Sequence, residues 1–370
     1  MNQFDELTWQ AVLDLYPERK YSIPEYFGIL NGDEELPVFL NKYLSLPLMT
    51  RLKKIGLLCG TDWTSLYKNR FYYSRYDHSL GVALIIWHFT KDKAQTLAGL
   101  FHDVSTPVFS HVADFRKGDA LTQSATEEPN AIMLKEDKDL PRLLAEDGLT
   151  VEQVWDYHKY PVADNEIPCL SADRLEYMFP SGMALEGSWT MEEIRRVYND
   201  LAVLKNENGI DELGFRSMEA AETYCYRFAN TGHLLQLNEN KLTLQLLAEV
   251  CRLALEAGLV CEEDFMTLGE SDVMDRFEDF AGRFPKEKFS VYYRTFRNMT
   301  FIEHTENALP GETHFSVSLK VKQRYINPLV LVDGKARRLG DVSEKAKKII
   351  SDFLSYEDSA YGCVKLIGQA

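Results

Sequence analysis

The chain has 370 residues, 45% of them hydrophobic and 26% charged, a composition that supports a buried core and excludes a disordered or fibrous chain. Asp and Glu number 57 against 41 Lys and Arg, a formal net charge of −16. Such a field repels polyanions, which argues against bulk nucleic acid as a ligand but leaves room for a small anion in a locally positive cleft. The six cysteines form no CxxC pair and no cluster, so reduced thiols and a cytoplasmic location are expected.

The opening stretch, MNQFDELTWQAVLDLYPERK, has no basic segment followed by an apolar one, so no targeting segment is expected there. From Leu80 to Phe89 nearly every residue is apolar, which reads as a helix buried on all sides. Its core, LGVALIIW, is far too short to span a bilayer, and no membrane association is expected. TKDK at 90–93 breaks the pattern, and a second apolar run from Ala94 to Phe101 ends in the doublet His102-Asp103. Residues 116–170 read as polar and irregular, opening with the loop-like RKGDALTQSATEEPN.

Helices are expected at 191–204, 217–229, 241–258 and 343–354. The last is the clearest, with Ser343 as N-cap and a stripe of Ala346, Ile349, Ile350, Phe353 and Leu354. Phe315, Val317, Leu319 and Val321 alternate with polar residues, the period of a half-buried strand. PLVLVDGKARRL then offers a second strand and an Asp333-Gly334 turn. The chain therefore reads as mainly α, with a helical body over 1–305 and a small C-terminal α+β appendage over 306–370 made of a strand hairpin and a helix.

A carboxylate at the end of a buried helix needs a partner. Two antiparallel helices joined at the short break would set His78, which opens the first, beside His102 and Asp103, which close the second. Two imidazoles and a carboxylate are suitable ligands for a borderline divalent ion such as Mn, Fe, Co, Ni or Zn. Asp173, in CLSADRLEYMF just after Ser171, is the best candidate for a fourth ligand, although an acidic residue in a first helical turn also suits the helix dipole. His111 and Asp114, at i and i+3, can share one helix face as an acid–base pair or as a structural pair.

Five segments carry a resemblance: LPLMTRLKKIG at 46–56, YSRYDHSLGVA at 73–83, LAGLFHDV at 97–104, FSHVADF at 109–115 and ADRLEY at 172–177. In order and spacing they resemble the HD-domain phosphohydrolase superfamily, and within it the deoxynucleotide triphosphohydrolase-like branch, over about residues 45–185. The resemblance implies an HD-domain helical bundle around one divalent metal ion (Mn, Fe, Co, Ni, Zn or Mg) held by His78, His102, Asp103 and Asp173. It implies that Arg75 faces substrate phosphates, that Arg174 and Tyr177 contact phosphate and sugar, and that His111 and Asp114 match the branch's FSHxxD. Assembly into a homo-oligomer is implied as well. Glu127 is a candidate to orient the attacking water.

The chain also departs from the branch. Where HDxGHGPFSH is common, it reads HDVSTPVFSH, with Thr106 in place of a histidine, and the later His-Glu pair reads Thr126-Glu127. Hydroxyls do not titrate near neutrality, so no general acid for a leaving group is identified. Two functions remain open. One is a metal-dependent phosphohydrolase acting on a nucleotide or similar small phosphate ester, with metal-activated water as nucleophile. The other is a catalytically weak or inactive HD protein acting as a nucleotide-responsive binding or scaffolding protein. His88 reads as a core histidine, and His158, His233, His304 and His314 belong to no constellation.

Overall fold

The computed structural model describes residues 23–121 and 127–368, the side chains of residues 127 and 128 excepted. Helix α1, Arg75–Thr90, starts at Ser74, whose Oγ accepts the Asp77 N–H while Asp77 returns a bond to the Ser74 N–H at 3.1 Å. It stops at Lys91, held at φ 51°. Asp92 then caps α2, Lys93–Phe101, by accepting the Ala94 and Gln95 N–H groups. This two-residue corner folds α1 and α2 against each other. A Cβ on Gly99 would stand 2.2 Å from Ile86 Cδ1, so glycine permits the close approach.

The polar stretch after residue 116 is more regular than its composition suggests. It contains helices Glu127–Glu136, Leu140–Glu146 and Val151–Val154, because Leu140, Leu143 and Leu144 supply an apolar face and Thr150 and Gln153 form a capping box. Helix α3, Ala172–Ser181, follows, capped by Ser171 Oγ on the Arg174 N–H at 3.2 Å. Helix Met191–Asn199 stops short of the expected 204. Residues 201–205 instead form β1, which pairs antiparallel with β2, Asp211–Phe215, because the intervening NENGI supplies a turn with Gly209 at φ 73°.

Helices α4, Met218–Gln236, and α5, Asn238–Glu256, come next, then α6, Glu270–Arg283. Strands β3, Glu303–Thr305, and β4, His314–Val317, flank β7, Tyr361–Lys365, in one sheet. The alternating stretch thus pairs only as far as Val317. Strands β5, Leu329–Val332, and β6, Lys335–Arg338, turn at Asp333 and Gly334, and β5 joins β2 in parallel, so the sheet β1-β2-β5-β6 connects the C-terminal strands to the helical body. Helix α7, Glu344–Ser355, begins where Ser343 Oγ accepts the Ala346 N–H. The molecule is mainly α, and among the described residues no helix is long and apolar enough to cross a membrane.

Among the described residues, two apolar clusters form the interior. One gathers α1, α2, α3 and α4; the other gathers α5, α6 and the residues around Phe109 and Phe115. The segment after His102 runs from the first cluster, at Val104, to the second, at Val108. Glu270 of α6 braces this crossing from behind, accepting the Gly56 N–H at 3.0 Å and the Trp63 Nε1–H at 2.7 Å. Burial, with the charge of Asp62 adding to it, pushes Glu270 up to about 7.

A carboxyl with a raised folded pKa binds its proton more tightly in the folded state, so its contribution favours folding at low pH and is lost as pH rises from the usual 4.5 through about 7. Unfolding free energies measured by denaturant titration between pH 4.5 and 8 should therefore fall more steeply for the wild type than for Glu270→Gln. Parallel curves would show that Glu270 does not titrate in this window.

Candidate metal centre

His78 lies one turn into α1, and His102 and Asp103 follow the end of α2, so the antiparallel pair sets them together. The two Nε2 atoms are 3.1 Å apart, and Asp103 Oδ2 lies 3.8 Å from His78 Nε2 and 3.6 Å from His102 Nε2. Asp173, in the first turn of α3, brings Oδ1 to 3.1 Å from His78 Nε2 and 3.7 Å from His102 Nε2. One ligand atom from each of His78, His102 and Asp103 falls within a 4.8 Å cluster.

Both imidazoles are fixed from behind. His102 Nδ1 bonds the Gly99 carbonyl at 2.7 Å, and His78 Nδ1 bonds Glu176 Oε2 at 2.5 Å, which leaves both Nε2 atoms aimed at the shared point. This donor set, two imidazole nitrogens and two carboxylates with the far ring nitrogens already engaged, fits a borderline divalent ion. Burial opposes charge on His78, yet hydrogen bonds with Asp173 and Glu176 outweigh it and lift the imidazole to about 10. A proton and a metal ion therefore compete for this ring. Burial likewise works against an ionised Asp103, but the Arg75 guanidinium, at 2.7 Å, and the two imidazoles hold it well below the usual carboxylate range.

Glu176 is one of the residues that sequence reasoning missed. It is fully buried and accepts Tyr73 Oη–H at 2.6 Å and Tyr26 Oη–H at 3.1 Å in addition to His78. Its signal was its spacing: Glu176 stands three residues after Asp173, on the same face of α3. Gly81, three residues after His78, makes the room, since a Cβ there would lie 2.5 Å from Glu176 Oε1.

The centre opens into a cavity of about 740 Å³, a size that suits a small organic ligand. Arg75 lines it, with Nε on Ser110 Oγ at 3.1 Å, and Ser110 in turn bonds the Gly56 carbonyl at 3.2 Å. Arg174 also lines the cavity, while its guanidinium holds the 164–169 loop through the Asn165 side chain at 2.7 Å, the Asn165 carbonyl at 2.6 Å and the Cys169 carbonyl. Tyr177 lies under the Arg324 guanidinium, 6.0 Å from ring centroid to the cation.

Arg324 and Lys322 reach the cavity from the segment between β4 and β5, a source of cations that the basic pattern KVKQR could have suggested. His111 Nδ1 lies 3.0 Å from Asp114 Oδ2, and its Nε2 is 3.5 Å from Arg324. Burial, opposed by Asp114 and aided by Arg324 and Arg75, lowers the affinity of His111 for a proton. Thr106 Oγ1 donates to Asp103 Oδ1 at 3.1 Å, so the hydroxyl at this position orients the Asp103 carboxylate. The side chain of Glu127, like Thr126, lies outside the described residues. His88 packs against Phe89 and Tyr198, away from the centre.

No family model matches the chain. It is 24% identical over 330 residues to the uncharacterized protein YdhJ of Bacillus subtilis, covering 88% of this chain and 94% of that one. It is 28% identical over 128 residues to the metal-dependent phosphohydrolase cns2 of Cordyceps militaris, covering 35% of this chain and 36% of that protein. Among solved structures, a hypothetical protein from Aquifex aeolicus matches with a TM-score of 0.58 at 16% identity, over 90% of this chain and 93% of that one. A phosphohydrolase from Bacteroides thetaiotaomicron matches with a TM-score of 0.58 at 13% identity, over 90% and 96%. The structural likenesses show a shared fold, and the His-His-Asp cluster is a donor set that could hold a divalent metal ion.

Glu176→Gln would set an amide against one of the donors that now meet a carboxylate, and Gly81→Ala would push the carboxylate away. Each should weaken binding of Mn²⁺ or Zn²⁺ by roughly 10- to 100-fold, with helical content by circular dichroism unchanged. Calorimetric titration that finds wild-type affinity in both variants would remove Glu176 from the centre.

Proposed function

We propose that this chain is a metal-dependent phosphohydrolase acting on a nucleotide or similar small phosphate ester. The observation that carries the reading is the convergence of His78, His102, Asp103 and Asp173 on one point beside Arg75, at the wall of a ligand-sized cavity. His78, His102, Asp103 and Asp173 would hold the ion. When bound, it supplies Lewis acidity toward a phosphoryl oxygen and lowers the pKa of water at the site.

The chain's own groups do the rest. Arg75 offsets negative charge that grows on the phosphate, and its bond to Ser110 fixes the guanidinium in place. With Nδ1 committed to Asp114, His111 carries its acceptor lone pair on Nε2, and burial favours the neutral ring, so it can take a proton from the attacking water. Arg324 and Lys322 add positive charge at the wall, and Tyr177 offers an aromatic face to a sugar or base. Arg174 contributes through the loop it holds and can also meet a phosphate from the cavity wall. Assembly of several copies is compatible with this reading and is not required by it.

The test is a product assay. Purified protein with added Mn²⁺ is given a panel of nucleotides and small phosphate esters, and products are resolved by mass, with Asp103→Ala as the control for contaminating activity. We expect at least one substrate to be hydrolysed by the wild type and at least roughly 100-fold more slowly by the variant, the scale on which a lost catalytic group is felt. Release of phosphate, triphosphate or an opened cyclic ester names the reaction. Metal-loaded wild type that is as inactive as Asp103→Ala across the panel would replace this reading with the nucleotide-responsive binding protein.

A further inference from the structure

Position 106 carries a hydroxyl, so a proton for the leaving group must come from elsewhere in the cavity. His158 meets the geometric requirements. It sits on the turn Tyr157–Lys159, which Asp156 caps by accepting the His158 N–H at 3.2 Å. Its Nδ1 lies 2.8 Å from Asp164 Oδ2, and Asp164 is fixed in turn by Ser171 Oγ and Arg174 Nη2, each 3.4 Å from Oδ1. His158 and Asp164 both line the cavity that holds the metal centre. The Tyr157 ring neighbours both histidines, with its centroid 5.0 Å from that of His102 and 4.4 Å from that of His158. The donor thus shares an aromatic neighbour, Tyr157, and one cavity with a metal-ligand candidate, so a bound phosphate ester can meet both.

We infer that His158, oriented by Asp164, is the general acid that protonates the leaving oxygen. The assignment rests on the phosphohydrolase reading above. With Asp164 orienting the ring through Nδ1, the proton to be transferred is the one on Nε2, the same division of labour as in other imidazole–carboxylate pairs. In the step, the oxygen of water bonds to phosphorus and the phosphorus–oxygen ester bond breaks. The bonding pair stays on the leaving oxygen, which takes the Nε2 proton of His158, while the water proton passes to His111 Nε2. Solvent then restores both rings. Among the described residues, the charged groups around His158 include Asp156 and Asp164, with Lys159 against the first and Arg174 against the second, and Glu166 also lines the cavity. The two imidazole–carboxylate pairs, His111 with Asp114 and His158 with Asp164, come from different segments, so base and acid can approach phosphorus from separate directions.

The experiment compares leaving groups. Nucleoside 5′-monophosphates release an alkoxide, which needs a proton, whereas p-nitrophenyl phosphate releases a phenolate that does not. His158→Gln and Asp164→Asn should lower kcat on the nucleoside phosphates by about 100-fold or more and on the aryl ester by less than about 5-fold, with bound metal at the wild-type level. In the zinc-loaded wild type, the His158 imidazole resonance should shift when inorganic phosphate is added. Equal losses on both esters, no loss on either, or an imidazole resonance indifferent to phosphate would overturn the assignment while leaving the phosphohydrolase reading in place. A metal-loaded wild type that hydrolyses neither class would end both.

Discussion

A carboxylate with no exposed surface sets the terms for the centre of this molecule. Glu176, set among Leu175, Phe179 and their neighbours, needs polar partners, and it has three: two tyrosine hydroxyls and the imidazole of His78. Those partners come from the helix at Ile23–Leu30, from the residue before the α1 cap and from α1 itself, so satisfying one side chain holds three segments together. The same bond directs His78 Nε2 toward His102 and Asp173. Core packing and ligand geometry are therefore parts of a single arrangement, and a substitution that removed the carboxylate would loosen both.

A second line of contacts runs from the other side. Glu270 on α6 grips Gly56, whose carbonyl takes the Ser110 hydroxyl; Ser110 accepts from Arg75, and Arg75 bonds Asp103. The two apolar clusters meet along this line, which is why the residues from His102 to Asp114 cross between them. The cavity opens at that crossing, where side chains from the helical body and from the C-terminal segment can reach the same ligand.

Much of the helical framework was legible in the sequence, for physical reasons. Ser74 and Ser343 announce helices because their hydroxyls take up unpaired N–H groups, and the apolar runs at 80–89 and 94–101 lie in α1 and α2, buried over 80–86 and 96–101 and half-buried at Trp87, His88 and Phe89 where α1 ends. The expectation of helix through residue 204 failed because the apolar residues of the helix, Ile194, Val197 and Tyr198, run on without a break into Leu201 and Val203, whose strand conformation depends on a partner, β2, that lies later in the chain. The convergence of His78, His102 and Asp103 follows from helix length and a short corner, which are local properties. Glu176 and Arg324 left only faint marks, a three-residue spacing and a basic pattern, because a buried glutamate looks like a surface one in sequence, and His158 left none, since a histidine on a polar turn gives no sign of facing a cavity.

The space that Glu176 occupies has a further consequence, for the evolutionary record. Position 81 carries no side chain because the volume beside it is already filled by a carboxylate from α3. The two positions thus share one allotment of volume, and neither can change alone without disturbing the imidazole between them. Among homologues they should vary as a pair: a chain that gains a methyl at 81 should carry a shorter or relocated acid at 176. In chains that lack the cluster of histidines and aspartates, the pair should be among the first core positions to drift.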